Sequence, residues 1–452
     1  MRALPLALTT AILALPVATS QSQSGEPALP PVPNTYPTPQ IPRAIPVIPD
    51  TENNLDPEGF ETPPVLPATK FLPAENLVGP HYRIRNAVKT DGYLAHFIVD
   101  SDFGTYDCLG APKLAQRLKE INALAELAAL SKSEVFADAL VRSAKQPIDA
   151  AKNLVADPVE SVKRLPSTAG HFFKRVGSAV GGGIKAVGKE IGEIGKDSRE
   201  PSKVGEQTES AGKELIGFNS AIANLAKKYG VDPYTDNALL KDQLEEIAWV
   251  AFAGGAPIKF GVGAVSGGAS IAMKATVIAG LPDSVYQLTP AEIRLQNRES
   301  MAVFGADKAT QEAFESNLAL TPSLSLALIQ SLEALGDTKG RDAVVSVAAQ
   351  LADRAKIEFL IWSLRILARP EVGETLTAIT PVGPLPAATT ASGKLLVPAA
   401  VDYVSWTPQT SAFAKNPDLE GKNPTLLLLG KDKLSDATRK GLTAANWEVR
   451  EL

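Results

Sequence analysis

The chain has 452 residues, of which 44% are hydrophobic, enough for a sizeable core, and this excludes a wholly disordered protein. Its 45 basic and 50 acidic residues leave a net charge of −5, which argues against a general nucleic-acid binder. A single cysteine, Cys108, rules out an intrachain disulfide, so stability must come from packing; the thiol itself is expected to be buried and inert.

The first 20 residues have the layout of a signal peptide. Arg2 precedes an uncharged run from Ala3 to Val17, and the small residues Ala18-Thr19-Ser20 stand ahead of Gln21. That run is shorter than the roughly 20 apolar residues a membrane span needs, so export is the expectation rather than anchoring. Residues 21–80 read as a disordered, extended spacer, because 15 prolines fall between Gly25 and Pro80.

Residues 81–110 change to a period of two and are expected to form a small β-ribbon. Tyr93 to Val99 is rich in β-formers, Asp91-Gly92 offers a turn before it, and Asp102-Phe103-Gly104 offers one after it. A helical body is expected over 111–370. Pro112 opens a helix with Leu114, Leu118, Ile121, Leu124 and Leu127 on one face. Ser131 and Glu134 suit a capping box for a second helix, and Pro147, Pro158 and Pro166 divide the chain beyond it into short segments. Leu215, Phe218, Ile222, Leu225 and Tyr229 repeat at three and four, and Gly230 suits the stop.

An internal repeat occupies 288–352. Leu288-Thr289-Pro290 leads to Gly305, and Leu320-Thr321-Pro322 leads to Gly336, so each unit reads as a helical hairpin. Residues 371–452 are expected to form a small α/β piece. Its parts are strands at Lys394–Val397 and Thr425–Leu429, a helix over Ser435–Ala445 and a last strand over Trp447–Leu452. The fold class is therefore α+β, predominantly helical.

Gly183 to Lys189 has the spacing of a phosphate-binding loop, but Glu190 stands where Ser or Thr would hold magnesium, and the preceding residues read as helix. No nucleotide is expected there. Phe173, Val176, Val180, Ile184, Val187, Ile191 and Ile194 instead give 171–196 an amphipathic helical pattern. Its glycine stripe suits close helix packing, and its basic excess suits peripheral contact with an anionic membrane. Residues 247–282 carry only Lys259 and Lys274 as charges, and are expected to be a buried helical hairpin.

His96, Asp100, Asp102, Asp107 and Cys108 are the metal-ligand candidates, but polar turns carry Asp without a metal far more often, so no metal site is assigned. The only histidines are His81, His96 and His171, and no catalytic motif is present, so no cofactor or catalytic residue is assigned. The expectation is an exported protein, periplasmic, in the envelope or secreted, acting non-catalytically on a protein partner. A membrane-perturbing protein using 171–196 and 247–282, and an extracytoplasmic hydrolase without a recognisable motif, are the alternatives.

Overall fold

The computed structural model describes Asp56 and residues 58–131, 204–253, 280–383 and 385–452, with side chains from 217 in the second helix. Helix predominates over strand, and the described residues contain ten α-helices and two sheets.

The first sheet is antiparallel. It comprises β1 (Val65–Pro67), β2 (Val78–Gly79), β3 (Tyr82–Ile84), β4 (Ala87–Thr90), β5 (Ala95–Ser101) and β6 (Gly104–Leu109). The order is β1-β4-β5-β3-β2, with β6 also paired to β5. Along β5, Ala95, Phe97 and Val99 are fully buried while His96, Ile98 and Asp100 are half-buried, the alternation of a strand with one core face. The expected ribbon thus exists, turned at Asp102–Phe103, and is the centre of something larger.

The spacer expectation for 21–80 fails over its C-terminal part. Val65–Pro67 pairs with Ala87–Lys89, and Ala68 and Leu72 enter the core. Proline density excludes a central strand, but β1 is an edge strand, where a missing N–H costs no ladder bond. Residues 1–55, including the expected signal peptide, lie outside the described residues.

Helix α1 (Ala111–Ser131) joins two cores. Leu114, Leu118 and Ile121 close the sheet's core over Phe97, Val99 and Cys108. One turn later, Leu124 and Leu127 belong to a second core with α2 (Val204–Tyr229) and α3 (Ala238–Ala253), among Leu225, Leu240, Leu244 and Ile247. Gly230 ends α2 at φ +64°, as its position suggested. Cys108 is buried, and burial pushes its thiol up to about 12, so it is inert at neutral pH.

The repeat forms two helical hairpins: α4 (Pro290–Phe304) with α5 (Lys308–Ser316), and α6 (Pro322–Glu333) with α7 (Arg341–Gln350). Thr289 and Glu292 make a full capping box, Thr321 caps α6 through the Leu324 N–H, and Gly305 stops α4 at φ +91°. The units stack α4 on α6 and α5 on α7. Asn317 ties their ends, its amide donating to the carbonyls of Ala348 (3.1 Å) and Leu351 (2.9 Å).

The remaining elements are α8 (Arg354–Leu367), β7 (Leu376–Val382), β8 (Leu385–Thr390), β9 (Leu395–Ala399), α9 (Pro408–Ala414), β10 (Thr425–Leu428), α10 (Asp436–Ala444) and β11 (Glu448–Glu451). The second sheet runs β11-β10-β9-β8-β7. Strands β7 to β9 form an antiparallel meander, and β9, β10 and β11 are parallel. The expected strand–helix–strand run is therefore present, with a meander before it.

The boundary expected at residue 370 is not one. Leu328, Ile361 and Leu364 of the helices share one core with Val397, Leu427 and Leu428 of the strands. The backbone crosses it too: Lys339 and Ala378 form a parallel bridge, with Ile379 N–H donating to Lys339 O at 2.7 Å. Periodicity marks where elements begin, whereas a domain boundary depends on where apolar faces meet.

The amphipathic stretch 171–196 and its loop-like Gly183–Lys189 lie outside the described residues, as does most of 247–282. Of the latter, Ile247 to Ala253 completes α3. No described helix is long and apolar enough to cross a membrane.

Candidate functional site

The metal-ligand candidates do not converge. Asp100 is held by a bidentate pair with Arg85 (both contacts 2.8 Å) and by the Thr105 hydroxyl, which together keep its carboxyl below the usual range. Asp102 pairs with His81 Nδ1 at 2.9 Å, and His96 Nε2 lies 3.7 Å from Asp91. Cys108 is paired with Phe97 and turns into the core, while Asp107 lies opposite Ile98 on the exposed face. A strand register places neighbours on opposite faces, so five residues close in sequence are split between two sides. Among the described residues no group of His, Cys, Asp and Glu is arranged to hold a metal.

The structure builds a charge network elsewhere, where α1, the α2–α3 loop and α8 meet. Lys113 Nζ donates to Asp236 (2.8 Å) and Glu358 (3.0 Å). Arg117 bonds Glu120 and Asp236, and Arg354 Nε donates to Glu358 at 3.1 Å. Thr235 Oγ1 donates to Glu120 at 2.8 Å, completing that carboxylate. Burial works against the Lys113 ammonium, but Glu358 and Asp236 outweigh it and leave its pKa raised. Burial also opposes the Asp236 carboxylate, yet Lys113, Arg354 and Arg117 hold it down at about 2. Asp232 is the exception. It is wholly buried, and burial pushes it up to about 6, despite the Tyr234 N–H (2.8 Å) and the Ser323 hydroxyl (2.8 Å).

Chemically this network is a fastener. Its carboxylates are filled by cations and hydroxyls, and the α8 pair Arg354–Glu358 is spaced four apart, on one helix face. Such an arrangement fixes how α1 and α8 sit together.

A neighbouring α8 face opens onto a cavity of about 450 Å³. Phe359 forms one wall, with Tyr93 edge-on to it at 6.2 Å. Leu385 and Ala399 of the second sheet contribute to the lining, as does Val401 just beyond β9. Phe413 of α9, Leu442 of α10, Leu426 of β10 and Trp447 also line the cavity. Trp447 is itself anchored, its indole N–H donating to Ala414 O at 2.9 Å. All of β10 is buried, and Leu426 is the residue of this strand that lines the cavity.

The polar members of the lining are Tyr93, Asp353, Lys356, Gln409 and Thr410. The first four are exposed and Thr410 is half-buried, so they form the mouth over an apolar interior. The lining contains no His, Cys or Ser. Sequence reasoning missed this site because its residues span positions 93 to 447 and no single segment carries a pattern for it.

Comparison with known protein families, curated proteins and solved structures finds no match to this chain.

Proposed function

We propose that this is an exported, non-catalytic protein of the periplasm, envelope or extracellular space that acts by binding. The observation that carries the reading is the cavity: about 450 Å³, apolar within, polar at the mouth and with no His, Cys or Ser in its lining. Binding sites for small or protruding apolar groups have this size and distribution of polarity. A protein partner engages the first helical hairpin and the turn that follows it, where Leu295, Val303 and Leu318 stand exposed. The first 20 residues direct export, and the proline-rich residues between them and the first sheet set the folded body away from its N-terminal contact.

Two measurements test this reading. Mass spectrometry of the secreted chain is expected to find an N-terminus near Gln21; an intact Met1 on the bulk protein overturns export. Titration with the neutral fluorophore N-phenyl-1-naphthylamine is expected to give saturable binding that Ala399→Phe abolishes by filling the cavity. Binding indifferent to that change removes the cavity from the function. A second reading, membrane perturbation through 171–196, rests on its amphipathic sequence and seven basic residues against two acidic between Lys163 and Lys196. Dye release from anionic vesicles separates the two.

A further inference from the structure

We infer that the cavity is a site for a single-chain anionic amphiphile, an alkyl chain inside with a carboxylate or similar head at Lys356. This rests on the binding function proposed for the cavity and names the ligand's chemistry. The interior is lined by Leu385, Val404, Phe413, Leu426 and Leu442, which offer no hydrogen bond. An occupant that gains from entering must therefore be apolar along its buried length, because an unpaired polar group there is costly. The exposed mouth is polar, so the same occupant must end in a group that stays at the surface.

The charge of that group depends on which mouth residues have donors or acceptors to spare. Asp353 caps α8, its carboxylate accepting the Ala355 N–H at 2.9 Å. Asp91, next along the Tyr93 loop, accepts the N–H groups of Tyr93 (3.0 Å) and Leu94 (2.8 Å) and faces His96. Each carboxylate thus spends one oxygen on the chain's own N–H groups while keeping its charge. Lys356 makes no hydrogen bond or ion pair among the described residues, and it stands in the first turn of α8, where the helix dipole favours an anion. It offers three donors to a head group that accepts them.

The test uses the mature protein and three probes with twelve-carbon chains: laurate, 1-dodecanol and dodecyltrimethylammonium, each below its aggregation threshold, by isothermal titration calorimetry. Laurate is expected to bind at least about tenfold tighter than the cationic probe, the order expected of one charge-assisted contact. Lys356→Glu, a change at an exposed site, is expected to weaken laurate about tenfold, with the dodecanol affinity unchanged and the unfolding midpoint not lowered. Equal affinity for all three probes, or no effect of Lys356→Glu, overturns the head-group assignment while leaving the cavity as a binding site. No binding of any probe overturns the binding reading as well. Association with laurate-containing vesicles but not with free laurate also overturns the proposal, since a membrane surface would then be the partner.

Discussion

The Asp402 carboxylate accepts the backbone N–H of Ala95 at 3.0 Å, across 307 positions of sequence. It also accepts the N–H of Ala111, the first residue of α1, at 3.2 Å. One buried side chain therefore ties the end of the parallel strands to β5 and to the start of α1. Burial raises its pKa, with Lys433 and the two N–H groups opposing that rise. Asp402→Ala strands two donors in the interior and is expected to cost about 2–4 kcal/mol, the desolvation penalty of two unpaired groups. Asp402→Asn keeps an acceptor oxygen and is expected to cost less. Denaturant unfolding of the two variants checks the order.

Asp232 gives stability a pH dependence of unusual sign. Its carboxyl titrates at about 6 in the folded chain, against roughly 4 when unfolded. Between those values the folded state holds more proton, so this group's contribution falls as pH rises from 4 to 6 and is level above 6. The loss is on the order of 3 kcal/mol. Asp232→Asn cannot ionise and is expected to lack that fall, and so to gain on the parent at pH 7 relative to pH 4. Parallel stability–pH curves for the two proteins would count against a buried, high-pKa Asp232. Asp236 acts the other way in a lower window. Its depressed pKa of about 2 contributes stability above pH 4 that is lost as pH falls toward 2.

Gly340 is where the helical repeat meets the second sheet. A Cβ there would lie 2.2 Å from Ile379 O, and the residue has φ +85°. Gly340→Ala is expected to cost about 3 kcal/mol or more, since strain and overpacking add. Gly336 has φ +65° but open space around it, so Gly336→Ala is expected to cost only about 1 kcal/mol. Thermal unfolding of the pair separates backbone strain from collision; equal losses would mean the contact with Ile379 gives way freely.

Removing residues up to Pro80 tests the edge strand. A chain beginning at His81 lacks β1 and the buried Ala68 and Leu72, and also Glu61, which accepts the Trp406 N–H at 2.5 Å. Burying one leucine is worth about 1.5–3 kcal/mol. The shortened chain is expected to unfold several degrees below the full one by calorimetry; an unchanged midpoint would show that this segment adds nothing to the fold.

Local elements are legible in short stretches of the chain. Helix α1 was legible from leucines three and four apart, and the hairpins from Thr-Pro starts and Gly stops. The β10–α10–β11 run is legible as two short strand-forming stretches around a helical one, and in the structure Ser435 caps that helix through the Thr438 N–H. These signals act within a turn or two of chain, through capping hydrogen bonds, allowed dihedrals and the spacing of apolar side chains. The rest came from long-range packing. It brought a proline-rich segment in as an edge strand, merged the helical body with the C-terminal sheet, and drew Lys113, Asp236 and Glu358 into one network. It also enclosed a cavity between Tyr93 and Trp447. Such contacts depend on which apolar faces find each other once loops close. That is a property of the whole packed chain, and no short window of residues encodes it.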